Sequence, residues 1–391
     1  MNRRTFLRRG AAGVAVSAVV GLTPLNPLAP DSRREEPKET TSSTVPSEGS
    51  SETEQPSHYL WTNDVFGGVS GLVTDATGDE LYVSRGTEAK RIDAETGEVE
   101  WDVESEQSIE TPVTVGDETV FAVGRHGRLL AADREDGERL WFEDTNAFSP
   151  ARPTVYDETA VVAGQRVYAH DIESGERQWS SSDRFTSPRT LRSGRHLYVG
   201  DHRNTAKLDL RDGSTVWQFD NGDRVGGPSF NFVLATQRNL LFGTNGSTLY
   251  AVDTNNGTLE WTAEDPGTFR SLAATDGGLV YCLETDAGNS QFGVIDLDDQ
   301  KILWEKIASL DFEEWEYGRV TTNITVYGGA ILAGTSSGHL ATIDPDAGRF
   351  RTATTVHDDG INRLFVDGDR AYLTGSRVLR GIDLTETALV R

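Results

Sequence analysis

From about residue 68 to the end, the chain alternates short apolar runs with polar turns, and no stretch shows helical periodicity. One unit recurs. In residues 249–261 (LYAVDTNNGTLEW) an apolar lead-in reads as a strand, Asp253-x-x-x-Gly257 as a turn, and the residues up to Trp261 as the returning strand. Asp bonds the backbone N–H groups of such a turn, and Gly takes the positive φ it needs. Residues 161–164 or 241–243 supply another strand upstream, and residues 151–156 or 270–274 a fourth.

Aligned on this unit, Asp falls at 93, 133, 171, 209, 253, 296, 344 and 383, with spacings of 38 to 48 residues. Gly follows four positions later at 97, 137, 175, 213, 257 and 348. Trp follows eight positions later at Trp101, Trp141, Trp179, Trp217, Trp261 and Trp304, six of only eight tryptophans. Four short antiparallel strands every forty or so residues predict an all-β, eight-bladed β-propeller of four-stranded antiparallel blades. A two-sheet sandwich would not account for eightfold self-similarity. WD-type propellers share the period, but their Trp-Asp ending occurs here only at Trp101-Asp102. The eighth repeat reaches its outer strand only at residues 387–391. Tyr59-Leu60-Trp61 reads as an outer strand with nothing before it. Residues 58–62 are therefore expected to pair onto the last blade and close the ring, removing an exposed edge. The alternative is that residues 387–391 complete their own blade.

The D-x-x-[TS]-G-x-x-x-W unit resembles the tryptophan-docking repeat of the PQQ-like (pyrroloquinoline-quinone-type) β-propellers, over about residues 68–391. The resemblance implies that the six register tryptophans pack between neighbouring blades. Trp61 and Trp315 stand outside that register. Departures occur at Gln300 (for Gly), Thr352 (for Trp), and Thr387 and Arg391 (for both), so those interfaces are expected to be docked less firmly. Quinoprotein dehydrogenases share the repeat, and the resemblance implies for them a vicinal disulfide, a calcium ion and a stacking Trp. Cys282, in the apolar run GLVYCLE, is the only cysteine, which makes that disulfide impossible. The eight repeat carboxylates stand one per blade and cannot converge on one metal. No cofactor, metal or catalytic residue is expected. The chain is also distantly similar to the propeller lipoprotein of the bacterial barrel-assembly machinery, which serves as a docking platform.

The seven histidines form no HExxH-like spacing, and no G-x-S-x-G accompanies them. His126 and His339 neighbour glycines in turns. His170 fills a slot held by Ala132 and Val252 in sister repeats. The longest repeat interval, Asp296 to Asp344, contains an aromatic and acidic loop at residues 309–318. Phe312, Glu314, Trp315 and Tyr317 make it a candidate partner-binding loop; packing back across the ring is its structural alternative. Asn245, Asn256 and Asn323 head glycosylation sequons.

Composition adds a setting. Acidic residues number 62 against 37 basic ones, a formal charge of −25, which excludes a general nucleic-acid binder. Only five of the basic residues are lysine, a balance that resembles proteins of salt-loving archaea, where salt screens carboxylate repulsion. Met1–Arg9 (MNRRTFLRR) and the short apolar stretch after it resemble a twin-arginine export signal over residues 1–30. No cysteine offers a lipid anchor there, and no apolar run reaches the length of a membrane span. Residues 31–57 are rich in Ser, Thr, Glu and Pro and are expected to be a disordered tether; residues 58–391 form the propeller. The sequence thus points to a monomeric, exported, cell-surface or extracellular propeller that scaffolds a protein partner. A small-ligand sensor and a PQQ-dependent dehydrogenase are the alternatives.

Overall fold

Thr119–Val123 (TVFAV) and Arg128–Asp133 (RLLAAD) are apolar nearly throughout and buried nearly throughout. The outer strand Val99–Glu104 instead alternates, with Trp101 and Val103 inward and Glu100 and Asp102 exposed. This difference follows from position: a middle strand has a neighbouring blade against each face, while an outer strand meets water on one.

The computed structural model describes residues 59–63, 71–74, 78–186, 188–201, 204–220, 234–275, 278–308, 319–346, 348–357, 360–376 and 378–387. Their regular structure is all β-strand, in eight four-stranded antiparallel sheets. Blades 1 to 7 span residues 71–104, 114–144, 154–180, 189–220, 234–264, 268–308 and 325–355. Blade 8 contains Arg363–Asp367, Arg370–Thr374 and Leu379–Asp383, and its outer place is taken by Tyr59–Asn63. Thr62 pairs with Arg380 and Asn63 with Leu379. The ring is therefore closed by the N-terminal strand. The other option, closure by residues 387–391, is set aside because that edge is already filled.

The core is not central. Eight buried apolar clusters occur, each straddling one boundary between adjacent blades. Five of these boundaries share one joint, seen clearly between blades 1 and 2. Trp101 lies on Gly137, so close that a Cβ there would come within 2.7 Å of the indole. Its Nε1–H donates to the carbonyl of Arg134 at 3.0 Å, and Gly137 itself holds φ at +74°. Two constraints meet at that position, a left-handed backbone and no room for a side chain, and only Gly satisfies both. Trp141 and Trp217 repeat the joint on Ile172 and Thr254, at 2.9 and 3.0 Å. Trp179 also lies on its glycine, Gly213, but its indole N–H has no acceptor among the described residues.

Trp61 corrects the sequence reading, which left it outside the docking register. It is the docking tryptophan of blade 8. Its Nε1 donates to Ala94 at 3.0 Å, and its ring covers Gly97 of blade 1 and packs against Tyr372. The closing interface is thus docked like the others, although Arg391 stands where the repeat expects Trp. The register could not show this, because the Asp that frames Trp61 is Asp383, at the far end of the chain.

Two departures have visible consequences. Gln300 takes a φ of +51° in the place of glycine, a conformation that side chains adopt at a cost of about 1–3 kcal/mol. Trp261, which belongs to the preceding blade, is buried there with its indole N–H unpaired among the described residues. At the boundary of blades 7 and 8 the buried contact is aliphatic, built from Leu332, Leu340, Val356, Ile361, Leu373 and Ile382. Thr387 is buried in the Gly place, its hydroxyl donating to the Leu384 carbonyl. The side chains of Trp304 and Thr352, and Arg391 altogether, lie outside the described residues.

The turn aspartates cap their own loops. Asp93 Oδ1 accepts the N–H groups of Glu95 and Thr96, and Asp171, Asp253 and Asp296 repeat the pattern. Turn N–H donors hold the carboxyls of Asp93, Asp171 and Asp296 below the usual range, the Thr385 hydroxyl lowers Asp383, and the Arg211 side chain brings Asp209 to about 2.

Two predictions follow from this architecture. Trp61→Ala should destabilise the fold by about 3–5 kcal/mol, as large aromatic truncations do, and removal of residues through Thr62 should lower the thermal midpoint further. Leu60→Ala on the exposed side of the same strand should leave it nearly unchanged; an unaltered midpoint for the deletion would refute closure by this strand. Because the carboxyls of Asp93, Asp171, Asp209, Asp296 and Asp383 have lower pKa values folded than unfolded, their stabilisation is complete above about pH 4. It should fade as pH falls toward 2, visible as declining thermal midpoints across that window.

Candidate functional site

The innermost strands of blades 2, 3, 4, 7 and 8 face one cavity of about 1340 Å³. Blades on opposite sides of the ring contribute to it, so it is the central channel. Its wall mixes backbone and short polar side chains (Thr114, Thr154, Thr190, Thr325) with apolar ones such as Leu191, Ile324 and Phe365.

Three arginines enter this channel: Arg152 from blade 3, Arg189 from blade 4 and Arg363 from blade 8. Each occupies the same place relative to the hairpin turn that ends its innermost strand, so the three stand at one level. Arg152 reaches across to blade 2, where its Nε donates to the Val113 carbonyl at 2.9 Å and contacts Thr114 Oγ1 at 3.3 Å. Among the described residues the Arg189 side chain bonds the neighbouring Pro188 carbonyl, at 3.4 Å. Neither has a carboxylate partner among the described residues.

Water reaches all three side chains: Arg152 is exposed, Arg189 and Arg363 half-buried. The surrounding protein also desolvates them in part. Desolvation accordingly lowers Arg152 and Arg363 to about 10 and moves Arg189 in the same direction, leaving all three charged at neutral pH. Among the described residues the lining carboxylates Asp117, Glu118, Asp133, Asp157, Glu158 and Glu173 lie at the turns of one end, about 15 Å along the strands from the arginine level. The channel is polarised, cationic at one level and acidic at the turn end.

Sequence reasoning missed these arginines because they lie in or just before innermost strands, away from the Asp and Trp on which the repeats were aligned. An alignment anchored on the hairpin turn rather than on Asp and Trp would have shown Arg at one position in the third, fourth and eighth repeats. Asn323 of blade 7 also lines the channel, so its sequon faces the axis. Asn256 sits in an exposed turn, with its Oδ1 accepting from Thr258.

The candidate loop residues Phe312, Glu314, Trp315 and Tyr317 lie outside the described residues, as do residues 1–58 and the side chain of Asn245. Cys282 is packed among Phe292, Ile324 and Ile331, and burial pushes its thiol up to about 12. It is a core side chain and not a nucleophile. His170 is buried, donating from Nδ1 to the Gly175 carbonyl at 2.8 Å, and burial lowers its pKa. It braces its own turn. His126 is exposed beside Phe148. Among the described residues, no group of three or more His, Cys, Asp or Glu is placed to hold a metal ion. No helix among them is long and apolar enough to cross a membrane.

A family model described as outer membrane protein assembly factor BamB matches residues 54–190 and 202–376. The BamB of Shewanella oneidensis is 23% identical over 285 residues, covering 67% of this chain and 68% of that protein. The BamB of Yersinia pestis is 24% identical over 261 residues, covering 65% of this chain and 58% of that protein. Among solved structures, BamB from Moraxella catarrhalis superposes with a TM-score of 0.67 at 16% identity, over 83% of this chain and 99% of that one. At that identity the superposition speaks for the fold alone.

Proposed function

This chain belongs to the family described as outer membrane protein assembly factor BamB, and with that as the premise we propose that it is an exported, non-catalytic propeller that binds a protein partner as an assembly scaffold. One observation carries the reading: the family match runs from the closing strand into the eighth blade and so takes in the ring rather than a single repeat. The docked joints support it, since a platform for a partner needs blades fixed relative to one another, and the tryptophan on each following turn provides that. Loops on such a frame present contact residues without loss of geometry.

The proposed contact is the loop carrying Phe312, Glu314, Trp315 and Tyr317, on sequence grounds: it fills the longest repeat interval and concentrates aromatics, which supply interface energy at low entropic cost. Export rests on Arg3-Arg4 and the apolar stretch that follows, with residues 31–57 as the tether and the propeller held outside the cell or at its surface as a monomer. The acidic, arginine-biased composition suits salty surroundings.

Two experiments test this. A photo-crosslinker at position 315 in cells should trap one protein in stoichiometric yield, and Trp315→Ala should weaken the capture at least about tenfold without lowering the thermal midpoint. Stoichiometric quinone or metal in the natively purified protein, seen by absorbance and intact mass, would overturn the non-catalytic reading. Separately, replacing Arg3 and Arg4 by lysine should retain the precursor inside the cell; export at the wild-type level would remove the twin-arginine assignment.

A further inference from the structure

The scaffold reading leaves three sequons unused, and the fold places them differently. Asn323 and Thr325 line the central channel and are half-buried, with Ile324 between them fully buried. Asn245 ends the second strand of blade 5 and pairs with Thr248; its side chain lies outside the described residues. Asn256 and Thr258 are both exposed, in the turn between the third and outer strands of blade 5.

The Asn256 amide divides its tasks between its two atoms. Oδ1 accepts the Thr258 N–H at 2.8 Å and the Thr258 hydroxyl at 2.7 Å. Nδ2 has no hydrogen-bond partner among the described residues. In sister blades the same N–H is accepted by Thr96, Asp136, Ser174 and Asp212. Capping this turn therefore needs one oxygen and nothing more. Of the eight residues in this place, Asn256 alone carries an amide nitrogen, and blade 5 alone adds a hydroxyl two residues beyond that amide.

We propose that Asn256 is an N-glycosylation site, modified on the folded chain outside the cell. The inference rests on the export reading. A twin-arginine signal passes its substrate already folded, so only a sequon exposed in the native fold meets a transferase there. The co-reactant is a sugar joined to a lipid phosphate, used by a membrane-bound transferase. Asn256 Nδ2 bonds to the anomeric carbon while the sugar–phosphate C–O bond breaks. The lipid phosphate leaves with the electron pair of that bond, and the amide proton passes to a base of the transferase. Oδ1 remains an acceptor in the product, so the turn keeps its cap. The hydroxyl that a transferase reads in a sequon already stands beside the reacting amide.

The test is site-resolved mass spectrometry of the full chain, expressed in its own host and recovered separately from inside and outside the cell. A glycan is expected on Asn256 of the exported chain and none on Asn323. Asn256→Asp keeps the capping oxygen, as Asp136 and Asp212 do in their blades, and should leave that turn bare. Thr258→Glu should also abolish the glycan, since blades 1, 2 and 3 hold Glu98, Glu138 and Glu176 in that place. Thr258→Ser should retain it. Both bare variants should still be exported, which separates loss of the site from loss of the fold. An exported chain with Asn256 unmodified, a glycan on Asn323 instead, or a glycan retained in Thr258→Glu overturns the proposal. A chain confined to the cell overturns the export reading, and this inference with it.

Discussion

An indole lying on a glycine turn is the contact on which the rest of this structure depends. Each blade is a sheet with two apolar faces and cannot bury both by itself, so its stability lies in its boundaries. The tryptophan at the end of one blade covers the turn of the next and donates its N–H to a carbonyl of that turn. Contacts of this head-to-tail kind either close into a ring or leave two raw faces. Closure here requires a strand from the beginning of the chain, and Trp61 brings with it the same joint that the internal repeats use. A polar link reinforces two of these joints. Arg91 reaches the Arg134 carbonyl and Lys207 the Thr254 carbonyl, each shared with the docking indole.

Charge is divided between the outside and the axis. The repeat aspartates stand one per turn, and Asp93, Asp171 and Asp296 hold their carboxyls ionised by bonding their own backbone. That use explains why an acidic protein of this size assembles no carboxylate cluster from its repeat positions: the ring spaces them one blade apart. Surface arginines pair with some of the remaining acids, as Arg128 does with Asp144 and Glu106. The channel reverses the sign. Arg152, Arg189 and Arg363 share one level there, and among the described residues the lining carboxylates gather at the turn end of a protein of charge −25.

Much of this was legible before any coordinates. The spacing of Asp, Gly and Trp gave the blade count, the strand order within a blade and the position of each turn, because these residues perform local tasks: capping, left-handed backbone and a flat contact at fixed range. Gln300 was legible as a departure, and its strained φ is the physical form that departure takes. The role of Trp61 was not legible, because its frame is supplied by Asp383 and only ring closure brings the two ends together. The convergence of Arg152, Arg189 and Arg363 was not legible either. Each is unremarkable in its own strand.

The sequence by itself determined the repeat, the strand and turn pattern, the glycine positions and the impossibility of a vicinal disulfide at Cys282, since each depends on residues close together in the chain or on their number. Tertiary structure alone decided which strand fills the last blade, which tryptophan docks the closing interface, and that three distant arginines share one level of one channel. The physical reason is that a closed ring makes neighbours of residues by rotation about an axis. Nothing in the order of a linear chain records the angle at which its repeats return to their start.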